Sequence, residues 1–149
     1  MTPRLAKMVV FSLLVIVVGV AGSQSQTTSP DSGKLLGTWR VVSAVYDDEP
    51  VKDIGKTEIW IKHITDVQFI WVRYSTDTKQ VKLSQGGTYS VKGDSYIETP
   101  QYNLEHAGLD SMREKEQKFT WRVDGDRFYQ NGRLSNGVKL EEVYERVRR

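Results

Sequence analysis

From Thr38 onward the side chains alternate in character residue by residue, and turn chemistry breaks the alternation every ten residues or so. A period of two sends successive side chains to opposite faces of an extended strand, so a chain that keeps it over most of its length is committed to sheet. In the first segment Trp39, Val41, Ser43 and Val45 share one face, and Arg40, Val42 and Ala44 the other. Ile59, Ile61 and His63 then alternate with Glu58, Trp60 and Lys62, and Val67, Phe69 and Trp71 with Gln68, Ile70 and Val72. Both faces carry apolar groups, as in a curved sheet. A turn at 76–79 leads into a strand over 80–91, which Gly86-Gly87 is expected to bend through a bulge. Lys92-Gly93-Asp94 turns into a strand over 96–99, and Pro100 is expected to end it. Phe119, Trp121 and Val123 alternate with Lys118, Thr120 and Arg122, and the hairpin signals Asp124-Gly125-Asp126 and Asn136-Gly137 follow. The last strand, 138–148, carries Leu140, Glu142, Tyr144, Arg146 and Arg148 on one face. One short helix is expected to interrupt the meander at 104–112, weakened by Gly108 and short enough to serve as a lid or an end cap.

The fold class is therefore all-β, with eight sequential strands joined by short connections. Such a meander can remain two stacked sheets or close into an up-and-down antiparallel barrel. Closure removes exposed strand edges, and eight strands enclose just enough room for side chains or one small ligand. An immunoglobulin-type sandwich needs longer crossings than these hairpins supply. The acidic loop at 47–53 lacks the spacing and the glycine of a calcium loop and reads as a solvated lip.

The first 23 residues read as a leader. Arg4 and Lys7 precede an apolar run at 8–20, and Gly19-Val20-Ala21 offers the small-x-small pattern of a cleavage site. The run spans about 20 Å at about 1.5 Å per residue, short of a core about 30 Å thick, so no membrane span is expected after cleavage. The expected location is secreted or periplasmic. Residues 24–33 are a polar tether and 34–149 one barrel domain. The chain contains no cysteine, so neither lipid attachment through cysteine nor a disulfide framework is available, and stability must come from the core. The leader holds two of the 21 basic residues and none of the 19 acidic ones, which leaves the remainder neutral. No basic stretch with interleaved aromatics suggests a nucleic-acid partner. A monomer is expected.

Gly37-Thr38-Trp39 at the head of the first strand resembles the Gly-x-Trp of lipocalins and other calycins. That resemblance implies a tryptophan closing one barrel end under an arginine from the last strand, here Arg146 or Arg148. "KHITDVQFIWVRYS", "GGTYSVKGDSYIE", "QKFTWRVDGDRFYQNGRLSNG" and "LEEVYERV" are further similar, in order and character, to a family of small exported bacterial lipocalin-like domains with no established activity. Where that family's pattern suggests a histidine before Phe-x-Trp, this chain has Gln68.

A small hydrophobic or amphipathic molecule is the expected interior partner, with Trp39, Trp71, Tyr89, Glu98, Tyr102, Trp121, Tyr144 and Arg146 as candidate binding residues. An inward Glu98 or Glu142 would require a partner, because an unpaired buried carboxylate neutralises. Arg146 is the expected one, either as a buried Arg–Glu pair that fixes the last strand or, with a tyrosine hydroxyl, as the holder of a ligand carboxylate; the pair is favoured. His63 and His106 are the only histidines. A haem ligand among them is less favoured than a surface role, so no cofactor is expected, nor a metal, for which ligand spacing is lacking. Acid–base catalysis by Glu98, Tyr102 and a histidine is conceivable, but no nucleophile elbow or phosphate loop asks for it, and no catalytic residue is assigned. A barrel filled solid by Trp39, Trp60, Trp71, Trp121 and Phe119 is the remaining alternative. Cavity volume separates a container from a packed module.

Overall fold

A computed structural model describes residues 32–104 and 109–148. The leader at 1–23 and most of the tether lie outside the described residues, as does His106. A 3-10 turn at Ser32–Leu35 leads into nine strands: β1 (Gly37–Tyr46), β2 (Glu49–Pro50), β3 (Glu58–Ile64), β4 (Gln68–Ser75), β5 (Val81–Lys92), β6 (Ser95–Asn103), β7 (Gln117–Asp124), β8 (Arg127–Arg133) and β9 (Lys139–Arg146). Every strand pairs antiparallel with its neighbour in the order β2-β1-β3-β4-β5-β6-β7-β8-β9, and β9 returns to β1 from Trp39↔Arg146 to Tyr46↔Leu140. Eight strands close the barrel. The ninth is the two-residue β2, which folds back on β1 through Asp47 and Asp48, both at positive φ as a tight hairpin turn requires.

One barrel end is closed and packed. Leu35, Trp39, Ile64, Phe69, Tyr96 and Phe128 are buried there, with Trp39 against Phe128 at 5.6 Å and Tyr96 edge-on to Phe128 at 6.2 Å. The Trp39 indole donates to Leu35 O at 2.7 Å, so the 3-10 turn is pinned beneath the plug. Arg146 covers the other indole face, its guanidinium carbon 4.0 Å from the ring centroid, and donates to Leu36 O and Lys34 O at 2.7 Å each. Gly37, at φ +124°, completes the motif, because a Cβ there would stand 3.0 Å from Arg146 Nη1. Arg148 lies outside this arrangement, paired with Asp126 on the surface.

Three local expectations change. Ser43 and Val45 do not share the inward face of Trp39 and Val41: the β1–β9 register shifts between Val41 and Ser43, and this bulge turns Ala44 and Tyr46 inward instead. Pro100 does not end its strand. The β6–β7 ladder stops at Glu98↔Gln117, so a residue without an N–H is tolerated on an edge that has already parted from its neighbour, and β6 runs on to Asn103. The expected bulge at Gly86-Gly87 is present, and Pro100 packs into it opposite Gly87. Of the helix expected at 104–112, Asp110–Met112 forms a single 3-10 turn, and residues 105–108 lie outside the described residues.

Candidate functional site

The interior of the other half is built by one face of each strand. On β3, Trp60, Lys62 and Ile64 turn inward while His63 faces solvent. On β4 the same parity places Phe69, Trp71 and Arg73, on β5 Leu83 and Gln85, on β6 Glu98, and on β9 Leu140, Glu142 and Tyr144. Above the packed aromatic half these side chains leave a cavity of about 220 Å³. Trp60, Trp71, Leu83, Leu140, Phe119 and Met112 supply apolar wall, and Leu109, Leu134 and Val138 come from the loops at the open end.

The cavity floor is polar. Lys62, only 2% exposed, donates from Nζ to Glu98 Oε1 and to Gln130 Oε1, both at 2.7 Å. Its remaining surroundings are rings: Tyr144, Tyr96 and Phe69 have centroids 5.2, 5.7 and 5.9 Å from Nζ. Beside it Glu142, 8% exposed, accepts from Tyr46 OH at 2.6 Å and from Tyr144 OH. Burial first, and the Glu142 charge second, hold the Tyr46 and Tyr144 phenols well above their ordinary range. Burial likewise raises Tyr96, with Glu98 the next cause, although its hydroxyl lies outside hydrogen-bond geometry with any described group. At the rim Arg73 Nε stands 3.0 Å from Glu58 Oε2, with its guanidinium 5.2 Å from the Trp60 ring centroid. Gln85, 4% exposed and on the cavity wall, leaves its amide nitrogen without a hydrogen-bond partner among the described residues.

Of the eight candidate residues, Trp71, Glu98 and Tyr144 meet at this cavity. Trp39, Tyr89, Trp121 and Arg146 are elsewhere. Tyr89 donates to Thr65 O at 2.6 Å, and Trp121 to Gly93 O at 2.9 Å, both near the closed end. Tyr102 is exposed, with its ring over Gly86. The expected Arg146–Glu pair does not form: Arg146 spends its donors on carbonyls beside Trp39, and the carboxylate of Glu98 is neutralised by Lys62 instead. The same placement keeps Arg146 from the cavity floor. His63 hydrogen-bonds Thr38 on the outer surface at 2.9 Å. Sequence reasoning passed over Lys62, Gln85, Gln130 and Tyr46. Parity only groups Lys62 with Trp60 and Ile64 without saying which β3 face is inner; the available signal was that an inward Glu98 demands a cation.

A closed eight-stranded up-and-down barrel, plugged by a tryptophan under an arginine and open to a cavity at its other end, has the lipocalin-like fold. Similar solved structures include a lipocalin-like protein from Bacteroides uniformis, 15% identical, with a TM-score of 0.53 over 77% of this chain and all of that one. An uncharacterised protein from Bacteroides eggerthii is 14% identical, with a TM-score of 0.52 over 75% of this chain and 98% of the other. A redesigned β-barrel, 18% identical, matches with a TM-score of 0.52 over 83% of this chain and all of its own. At these identities the likeness is one of fold. No family model matches the chain, and no curated protein does.

Proposed function

We propose that this protein is an exported container that holds one small amphipathic molecule in the open half of its barrel. The observation that carries the reading is the cavity: about 220 Å³, walled by Trp60, Trp71, Leu83 and Leu140, and floored by a buried polar layer. A dry cavity of about 150 Å³ accommodates benzene, and sites for drug-sized ligands start at about 300 Å³. A one- or two-ring guest fits between those limits. The unpartnered Gln85 amide supports a guest with a polar end, since a buried donor left without a partner costs about 1–3 kcal/mol. The Arg4/Lys7 and 8–20 leader pattern supports work outside the cytoplasm.

Calorimetric titration with 2-phenylethanol, a one-ring amphipathic probe, tests the reading. Saturable binding is expected, and a Leu83→Trp variant that fills the cavity should lose it. No saturable heat with the unaltered protein would overturn the container reading.

A further inference from the structure

The cavity lining holds two cations, Lys62 and Arg73, and two carboxylates, Glu98 and Glu142, but the ion pairs they form leave one carboxylate out, because Arg73 pairs with Glu58 outside the lining. Lys62 is matched by Glu98 at 2.7 Å, and Arg73 by Glu58 at 3.0 Å. Glu142 is left over. Among the described residues it forms no ion pair, although it is buried and borders the cavity; only two tyrosine hydroxyls face it. A carboxylate offers about four acceptor sites, so two remain. A buried charge is retained at low cost only when paired.

We propose that the guest is an organic cation, a small aromatic or alkyl amine whose ammonium group pairs with Glu142. The assignment rests on the container reading and names its ligand class. Two features of the site favour a cation over an anion. First, the cations already present are engaged: Lys62 has Glu98, Gln130 and three aromatic rings around it, and Arg73 lies between Glu58 and Trp60. An anionic guest would meet the unpaired Glu142 carboxylate, while both cations of the lining are already held in ion pairs. Second, the wall next to Glu142 is aromatic. Tyr46 stacks on Trp60 at 6.2 Å, and Trp71 and Tyr144 also line the cavity, so an ammonium reaching Glu142 passes π faces that attract it. The Gln85 amide nitrogen adds a donor for a hydroxyl or carbonyl elsewhere on the same guest. The Tyr46 and Tyr144 hydroxyls agree with this geometry, because both donate to Glu142 and neither brings it a counter-charge.

The test compares three probes of nearly equal shape on the full-length protein: 2-phenylethylammonium, 2-phenylethanol and 3-phenylpropionate. The amine is expected to bind at least about ten-fold more tightly than the alcohol, and the carboxylate most weakly. In Glu142→Gln the amine's advantage over the alcohol should disappear while the alcohol still binds. The ranking on the unaltered protein stands even if Glu142→Gln fails to fold, and Tyr46→Phe, which frees one further acceptor site on Glu142, should keep the amine first. Alcohol binding equal to or tighter than the amine's, or an amine preference that survives Glu142→Gln, overturns the cation assignment and leaves the container intact. Binding of none of the three overturns both, and carboxylate binding ahead of the others assigns the site to anions instead.

Discussion

Lys62 Nζ lies 2.7 Å from Glu98 Oε1 between the packed aromatic half of the barrel and its cavity, with 3% and 5% of the two side chains exposed. An ion pair so placed gives weak net stabilisation compared with apolar residues of the same shape, but losing one partner strands the other. Lys62→Met and Glu98→Gln are each expected to lower unfolding free energy by about 3–5 kcal/mol. The double variant Lys62→Met/Glu98→Leu should cost less than either. Urea denaturation reads this directly, and single variants with unchanged midpoints would contradict the pairing.

The closed end depends on Arg146. Its guanidinium stacks on Trp39 and ties two carbonyls of the 32–36 segment to the barrel. Arg146→Ala should destabilise by about 2 kcal/mol, within the range of a partly buried cation–π contact plus hydrogen bonds from a charged donor. Arg146→Lys should not restore it, because an ammonium cannot both stack flat and reach two carbonyls. Full rescue by lysine would show that charge alone matters there.

The bend in β5 has no room for a side chain. A Cβ on Gly87 would fall 2.1 Å from Thr99 O, a backbone atom that cannot swing aside. Gly87→Ala is therefore expected to cost about 1–3 kcal/mol, as overpacking does in a close-packed site, with signs of altered β5–β6 pairing in amide hydrogen exchange. Wild-type stability with unchanged exchange would place the strands further apart than described.

Alkaline pH should unfold the protein from within. Burial is the largest cause of the upward displacement of Tyr46, Tyr89, Tyr96 and Tyr144. Below about pH 10 native and unfolded chains both keep these phenolic protons, and stability is unaffected. Above it the unfolded chain releases protons that the native state retains, so stability falls as pH rises. Phenolate absorbance should show part of the seven tyrosines silent until circular dichroism reports unfolding. Titration of all seven near pH 10 in a folded protein would refute their burial.

The outline of the barrel was legible because its signals are local. Asp124-Gly125-Asp126, Asn136-Gly137 and Gly86-Gly87 each specify backbone geometry through their own side chains or lack of them, and Gly37, Trp39 and Arg146 meet as the motif implies. The bulge after Val41 carries no such mark. Alternation places Val41 inward and Val42 outward correctly, but nothing local marks Val42 as the extra residue, so only the β9 register reveals that Ala44 and not Ser43 turns inward next. The polar floor was hidden for a related reason. On β3 the isoleucines 59 and 61 are as apolar as the opposite face, and hydrophobicity gives no sign that the face holding Lys62 is the inner one. That choice is made across the barrel, where Glu98, Gln130 and Tyr144 converge from three other strands. Partnerships of this kind span 36 and 68 residues of chain and leave no pattern in any one segment.

The most direct measurement is native mass spectrometry of the protein taken from its own host, before and after denaturation. A container with a Trp60–Trp71 wall and an unmatched Glu142 predicts a discrete added mass of small-molecule size that departs on unfolding. A bare polypeptide mass, repeated across growth conditions and unchanged by denaturation, would contradict it.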